Sequence, residues 1–338
     1  MLEFTDKGIY CPRADVYIDP WKPVQRALIT HGHSDHSRWG NQYYLCSRLA
    51  KPVIRHRLGP INLETVEYGE VRTINGVDFS FHPAGHIVGS AQIRVAYKGE
   101  VWVVSGDYKL ENDGISGAFE PVPCHTFITE STFGLPVYRW KSQDAIFSEI
   151  NQWWRENQEQ DKVSIITAYA LGKAQRILTG IDPSIGPIFT HAAIENVNEI
   201  IRGQGIALPA TRRVTPENRN KGYSGGLVIA PPSVIGSLWL RQFKQCSLGI
   251  ASGWMAVRGS RRRRNADRGF VLSDHADWNG LNEAVRATGA TQIIATHGYS
   301  DIFSQWLRQQ GFEAAAEKTA FEGEQLDAPS TPNEEKEE

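Results

Sequence analysis

The sequence predicts an α/β fold in which one α/β unit is interrupted by a second. Three stretches carry that reading: from Met1 to about Leu135 short strand-like runs are separated by turns, from about Ser142 strands alternate with helices, and after Phe270 the first pattern returns. Apolar/polar alternation marks half-buried strands, whereas strands alternating with helical segments mark a small parallel sheet.

In the first stretch the strand candidates are Val16–Ile18, Ala27–Ile29, Asp78–Phe81, Gln92–Tyr97, Glu100–Val104 and Thr126–Thr129, with glycine-containing turns such as Tyr97-Lys98-Gly99-Glu100 between them. In the second, Lys162–Thr167 precedes a helical Ala174–Leu178, Pro187–Thr190 a helical Ala193–Arg202, and Gly226–Ala230 a helical Val234–Lys244. In the third, a strand over Thr291–Thr296 leads into His297-Gly298. No internal repeat is visible.

The 338 residues, 41% hydrophobic and 22% charged, have the composition of a soluble globular chain with room for two domains. Met1–Lys7 has no basic region followed by an apolar core, and no apolar run nears the roughly 18 residues of a membrane span, so neither secretion nor a membrane partner is expected. The cysteines Cys11, Cys46, Cys124 and Cys246 form no CxxC pair. That argues against a disulfide framework or a cysteine zinc site and fits a reducing cytoplasm. Charge is uneven: Glu322–Glu338 hold seven acids and one lysine within a net of −2, leaving a mildly basic body before an acidic tail that reads as disordered.

Chemistry concentrates at His31-Gly32-His33-Ser34-Asp35-His36, where four metal-ligand types fall within six positions directly after an apolar run. A strand that runs into a tight loop can turn several ligands toward one point, and imidazole with carboxylate suits zinc or manganese. His86, Asp107 and His297 each end an apolar strand beside a glycine. Singly each is an ordinary turn residue; in this order behind the first cluster they read as the remaining ligands of a binuclear site.

The ordered set Asp19, His31–His36, Ala84-Gly85-His86, Ser105-Gly106-Asp107, Thr129-Glu130-Ser131-Thr132-Phe133-Gly134, Ser273-Asp274-His275-Ala276-Asp277 and Thr296-His297-Gly298 resembles the metallo-β-lactamase nucleases that carry a β-CASP insertion. The resemblance extends to about Gly323. More narrowly, Gly8–Pro12, Tyr17–Trp21 and the short insertion resemble bacterial exonucleases associated with a DNA ligase and a helicase in damage response. It implies a four-layer αββα core, with residues 1–140 and 266–322 forming the metallo-β-lactamase domain, 141–265 the β-CASP insertion and 323–338 the tail. It also implies two divalent ions, Zn2+ or Mn2+, one on His31, His33, His86 and a bridging Asp107, the other on Asp35, His36, Asp107 and His297. Asp19 is then expected to orient a ligand histidine, and Asp35, Glu130 and His275 to be catalytic, with His275 as general acid held protonated by Glu130.

The implied activity is 5′-to-3′ exonuclease cleavage of single-stranded DNA in repair, with a ligase and a helicase as partners. RNA processing of the 3′-end-processing or ribonuclease type is the alternative, favoured by a histidine at position 297, where crosslink-repair DNA nucleases typically carry valine. A small-molecule metallo-hydrolase would share the His-x-His-x-Asp-His loop without needing Glu130, His275 or the insertion; an inactive interaction subunit would be expected to have lost ligands. Candidate nucleic-acid contacts are Lys173 and Arg176 at a strand-to-helix loop, where backbone amides receive phosphate. Ser252 and Trp254, as backbone donor and stacking surface, and Arg258 with Arg261–Arg264 and Arg268 complete them.

Overall fold

The computed structural model describes residues 1–215, 222–257 and 266–321, and three sheets form among them. The first takes its strands in chain order: β1 (Glu3–Phe4), β2 (Ile9–Cys11), β3 (Val16–Ile18), β4 (Arg26–Ile29), β5 (Tyr43–Ser47) and β6 (Leu63–Val66). Strands β3 to β6 run parallel, so their carboxyl ends share one edge. Asp19 leaves β3 at that edge, and the His31–His36 loop leaves β4 beside it. Helix α1 (Lys51–Leu58), with Pro52 in its first turn where the missing N–H costs nothing, covers the outer face through Ala50 and Ile54 against Ala27, Ile29 and Tyr44.

Strands β7 (Val71–Ile74), β8 (Val77–Pro83), β9 (Ala91–Tyr97), β10 (Glu100–Val104) and β11 (Thr126–Ser131) build most of the second sheet. Two antiparallel steps, β8 to β9 and β9 to β10, bring β8 and β10 back into one direction, and β11 is parallel to β10. The loops holding His86 and Asp107 therefore emerge at the same edge, where Glu130 lies on β11.

The chain next forms α2 (Gln143–Glu159), β12 (Val163–Thr167), α3 (Lys173–Gly180), β13 (Ile188–Thr190), α4 (Ala192–Arg202), β14 (Arg212–Arg213), β15 (Leu227–Ala230), β16 (Cys246–Ala251) and β17 (Arg268–Phe270). Ser142 caps α2 by accepting from the Ala145 N–H, and the helix buries Ile146, Ile150, Trp153 and Trp154 against this sheet. All its pairings are parallel, in the order β14-β13-β15-β12-β16-β17. Order reverses at β12, whose neighbours are β15 and β16, and the crevice outside such a reversal is where open α/β sheets place ligands.

Beyond Phe270 come α5 (Trp278–Ala287), β18 (Gln292–Gly298), α6 (Ser300–Gln309) and β19 (Glu313–Ala316). Strand β18 pairs parallel with β11, extending the second sheet and bringing His297 to the edge of Glu130. The first two sheets pack face to face through Ile18, Leu28, Phe79, Phe81, Ile93, Val104 and Ile128. Helices α5 and α6 cover the far side of the second through Trp278, Leu281, Phe303 and Leu307 on Phe127 and Ile293.

The helix expected over Val234–Lys244 does not form; two 3-10 turns, Pro232–Val234 and Leu238–Gln242, take its place. Pro231-Pro232 offers no N–H, and Gly236-Ser237 interrupts the remainder. The acidic tail 323–338, Arg258 and Arg261–Arg264 lie outside the described residues. No helix among the described residues is long and apolar enough to cross a membrane.

Candidate metal centre

Four strand ends from two sheets meet here, and the ring nitrogens show what they meet for. His31 Nδ1 donates to Thr30 Oγ1 (3.0 Å), because that hydroxyl spends its own proton on Asp19 Oδ2. His33 Nε2 donates to the Leu171 carbonyl (3.1 Å) and His86 Nδ1 to the Asp274 carbonyl (2.8 Å). These bonds assign the tautomers and leave His31 Nε2, His33 Nδ1 and His86 Nε2 without protons. Yet His33 Nδ1 lies 3.2 Å from His31 Nε2 and 3.0 Å from His86 Nε2. Three lone pairs crowded on one point repel unless a cation takes them up.

Asp107 supplies the counter-charge. Its Oδ2 is 3.5 Å from His31 Nε2, 3.8 Å from His86 Nε2 and 3.5 Å from His36 Nε2. Donors about 2.0–2.2 Å from one tetrahedral ion sit about 3.4 Å from each other, so these spacings fit a shared metal. Ligand atoms of His31, His33, His86 and Asp107 all fall within 4.8 Å of one another.

A second half-site adjoins. His36 Nδ1 donates to Asp19 Oδ2 (2.8 Å), leaving a buried Nε2 that has no hydrogen-bond partner and lies 3.7 Å from Asp35 Oδ2. His297 lines the same small pocket as His36, Asp107 and Glu130, and its Nδ1 is likewise buried without a hydrogen-bond partner. The strand register slips between Glu130 and Ser131, opposite Thr296 and Gly298, so His297 is the extra residue of a bulge and takes a left-handed φ of 57°. Bulges re-aim side chains, here out of the ladder and toward the pocket. The donor set thus fits a divalent metal at the His31/His33/His86/Asp107 side, and on the other side His36 and His297 each leave a buried ring nitrogen without a hydrogen-bond partner.

Burial lowers His31 and His86 well below the ordinary imidazole value, with neighbouring imidazoles adding to it, which keeps them neutral as ligands must be. Burial opposes charge on His36 too, but Asp107, Asp35 and Asp19 outweigh it and push it up to about 10. Burial raises Asp107 to about 7 against the pull of His36 and His275. This negative potential, which retains protons, equally retains cations.

Asp19 serves two ligands, His36 directly and His31 through Thr30, from a left-handed φ of 44°. Groups of this kind are worth about 10–100-fold in metal affinity, so Asp19→Asn is expected to weaken metal binding by that factor in a metal titration, with the fold kept.

Glu130 and His275 face each other beside Asp107. His275 Nδ1 donates to Glu130 Oε2 at 2.9 Å, and the same carboxylate accepts from Thr132 Oγ1 and the Tyr108 N–H. Burial opposes the charged ring, but Glu130 and then Asp107 overcome it and raise His275 to about 9. Glu130 is lowered despite its burial, chiefly by His275.

Two proposed nucleic-acid contacts are corrected. Arg176 is fully buried: its guanidinium donates to the carbonyls of Gly85 (2.9 Å) and Glu111 (3.1 Å) and to Gln143 Oε1, and pairs with Asp113 at 3.3 Å. It bolts α3 of the third sheet to the His86 loop, where Gly85 is pressed so close to Lys109 that a Cβ would lie 2.2 Å from its carbonyl oxygen. Removing it strands a buried carboxylate and several carbonyls; Arg176→Ala is expected to cost about 3–5 kcal/mol in a denaturant titration. Lys173 is also fully buried, 3.5 Å from Asp274 and 4.9 Å from the centre of the Tyr169 ring. Its ammonium faces the Asp274 carboxylate in the interior and is not a surface contact for phosphate.

Ser252, expected as a backbone donor, is buried and already donates its N–H to the Phe270 carbonyl (3.1 Å), while its Oγ accepts from the Trp254 N–H. Trp254 is half-buried and packs on Phe133 at 4.8 Å, and Phe133 in turn meets the edge of His275. Arg268 is exposed on β17. Sequence reasoning passed over Thr30, Thr132 and the carbonyls of Leu171 and Asp274. Thr30 could have been found beside the ligand loop; the carbonyls carry no side-chain signal. Phe321, stacked 4.2 Å over His36, was missed as well.

No family model matches the chain. It is 30% identical over 313 residues to a protein named probable DNA ligase from Opitutus terrae, covering 91% of this chain and 30% of that protein. An RNase J-like protein of Methanocaldococcus jannaschii is 26% identical, covering 51% of this chain and 48% of its own length. Cleavage and polyadenylation specificity factor 73 of Drosophila melanogaster is 29% identical, covering 46% and 24%. The chain therefore spans less than half the length of each of these relatives. A protein of unknown function from Enterococcus faecalis V583 shares the fold alone, with a TM-score of 0.60 at 10% identity over 80% of this chain and 74% of that one. The sequence relatives support a likeness to the metallo-β-lactamase/β-CASP nucleases.

Proposed function

We propose that the chain is a metal-dependent phosphodiesterase of the metallo-β-lactamase/β-CASP type, a 5′-to-3′ exonuclease of single-stranded DNA in repair. The observation that carries the catalytic part is the meeting of three deprotonated imidazole nitrogens and Asp107 beside a charged His275–Glu130 pair. His31, His33, His86 and Asp107 would hold one ion, and Asp35, His36, Asp107 and His297 the other. Bound there, divalent metals supply charge that activates water near neutral pH and neutralises phosphate oxygens.

The chain's own groups do the rest. With Nδ1 held on Glu130, the charged His275 ring carries its second proton on Nε2, the proton it would give to the departing alkoxide. Glu130 keeps the ring charged and fixed, and is itself held by Thr132 and the Tyr108 amide. Trp254, half-buried and packed on the buried Phe133 that meets the edge of His275, is the aromatic surface on which a base can stack.

DNA is favoured because the relative matched along 91% of the chain bears a DNA ligase name; a ligase and a helicase as partners rest on the resemblance of Gly8–Pro12 and Tyr17–Trp21 alone. RNA is the second reading: relatives named RNase J-like protein and endoribonuclease match about half of the chain or less, and His297 lines the pocket. End-labelled single strands of DNA and RNA, each incubated with zinc or manganese beside an Asp107→Ala control, test both. The expected result is a ladder shortening DNA from its 5′ end. A ladder from RNA alone transfers the assignment to RNA, and no metal-dependent product from either overturns the nuclease reading.

A further inference from the structure

We infer that the loop Leu171–Lys173, from the inserted sheet, is a positioning element for one of the two metal half-sites: it sets His33 directly and His86 through Asp274. The inference rests on the metal reading above and adds which part of the fold each half-site depends on.

The loop follows β12 at the point where strand order reverses, and it reaches across to a ligand 138 residues earlier. By accepting the Nε2 proton of His33, the Leu171 carbonyl turns the Nδ1 lone pair toward His31 and His86. Gly172 is wedged: at φ 95° its Cβ would lie 2.3 Å from Ile87 Cγ2 and 2.9 Å from Asp274 Oδ2. Lys173 Nζ stands 3.5 Å from the other Asp274 oxygen, both residues buried, and the Asp274 carbonyl receives the His86 Nδ1 proton. A buried lysine is costly unless it is paired. Here the pair fixes the residue whose carbonyl orients a ligand.

The other half-site is held from elsewhere. His36 hangs on Asp19 at the end of β3 with Phe321 over its ring, and His297 is aimed by the bulge in β18. Among the described residues, the contacts that reach ligands from the inserted unit fall on the His31/His33/His86 side. Lifting the loop should empty one half-site and spare its neighbour.

Manganese alone, titrated calorimetrically into metal-stripped full-length protein, is the test. The variants are Gly172→Ala, which pushes the loop away, and Lys173→Met, which removes the pairing with Asp274. Both are expected to weaken one class of site by about 10–100-fold with the other unchanged, matching His33→Ala. Asp19→Asn should lower the other class more. Circular dichroism confirms folding, and if Gly172→Ala does not fold, Lys173→Met decides. Folded variants that bind at both sites with wild-type affinity, or that weaken both equally, overturn the inference. A wild-type chain that takes up no manganese overturns the metal reading itself and the inference with it.

Discussion

Replacing Asp107 by alanine is expected to abolish cleavage, by about 10³-fold or more, and to strip metal from both half-sites. Its carboxylate lies within 3.8 Å of ligand nitrogens from His31, His36 and His86. Without it the imidazoles of the two sets no longer share a counter-charge, and a factor of 10³ corresponds to about 4 kcal/mol of lost transition-state stabilisation. Metal content by plasma mass spectrometry, measured beside cleavage of labelled DNA, checks both halves. Asp107 sits in a loop beyond β10 and is not part of the hydrophobic core, so the thermal transition should persist. A variant that keeps its metal and loses only activity would make Asp107 a proton carrier and not a bridge.

The second large effect belongs to the His275–Glu130 pair. His275→Ala should lower kcat by about 10²–10⁴-fold while metal content stays at the wild-type level, the ordinary worth of a general acid. Glu130→Gln is more diagnostic, because it keeps the shape and removes the charge. Glu130 is the largest contribution raising His275 against its burial. Its loss lowers the His275 pKa, so the ring gives up its proton at lower pH and the alkaline limb of the rate profile should move toward acid. An unchanged limb in Glu130→Gln would assign the carboxylate to structure and free His275 of the role.

Much of the centre was legible because its ligands lie at strand ends next to glycines. Residues at parallel strand ends share an edge, so His86 after β8, Asp107 after β10 and His297 on β18 were bound to converge once strand directions were set. The strand Glu100–Val104 has its expected bounds in the structure, since alternation and a tight hairpin specify it locally. The charged side chains of the third sheet were less legible. Lys173 and Arg176 read as phosphate contacts because sequence shows charge and not burial, and their partners Asp274 and Asp113 are distant along the chain. Helix α2 was passed over although its stripe of Ile146, Ile150, Trp153 and Trp154 is helical in spacing. The Val234–Lys244 helix was overpredicted because apolar residues there pack around turns set by proline and glycine. Backbone acceptors such as the Leu171 carbonyl leave no trace in the residue types at all.

The most direct test of the central claim is a crystal grown with manganese or zinc and measured at that metal's absorption edge. The account predicts a pair of anomalous peaks on either side of the Asp107 carboxylate, one among His31, His33 and His86 and the other among Asp35, His36 and His297. Well-ordered density for these side chains without an anomalous peak between them, or a peak only elsewhere in the molecule, would contradict it.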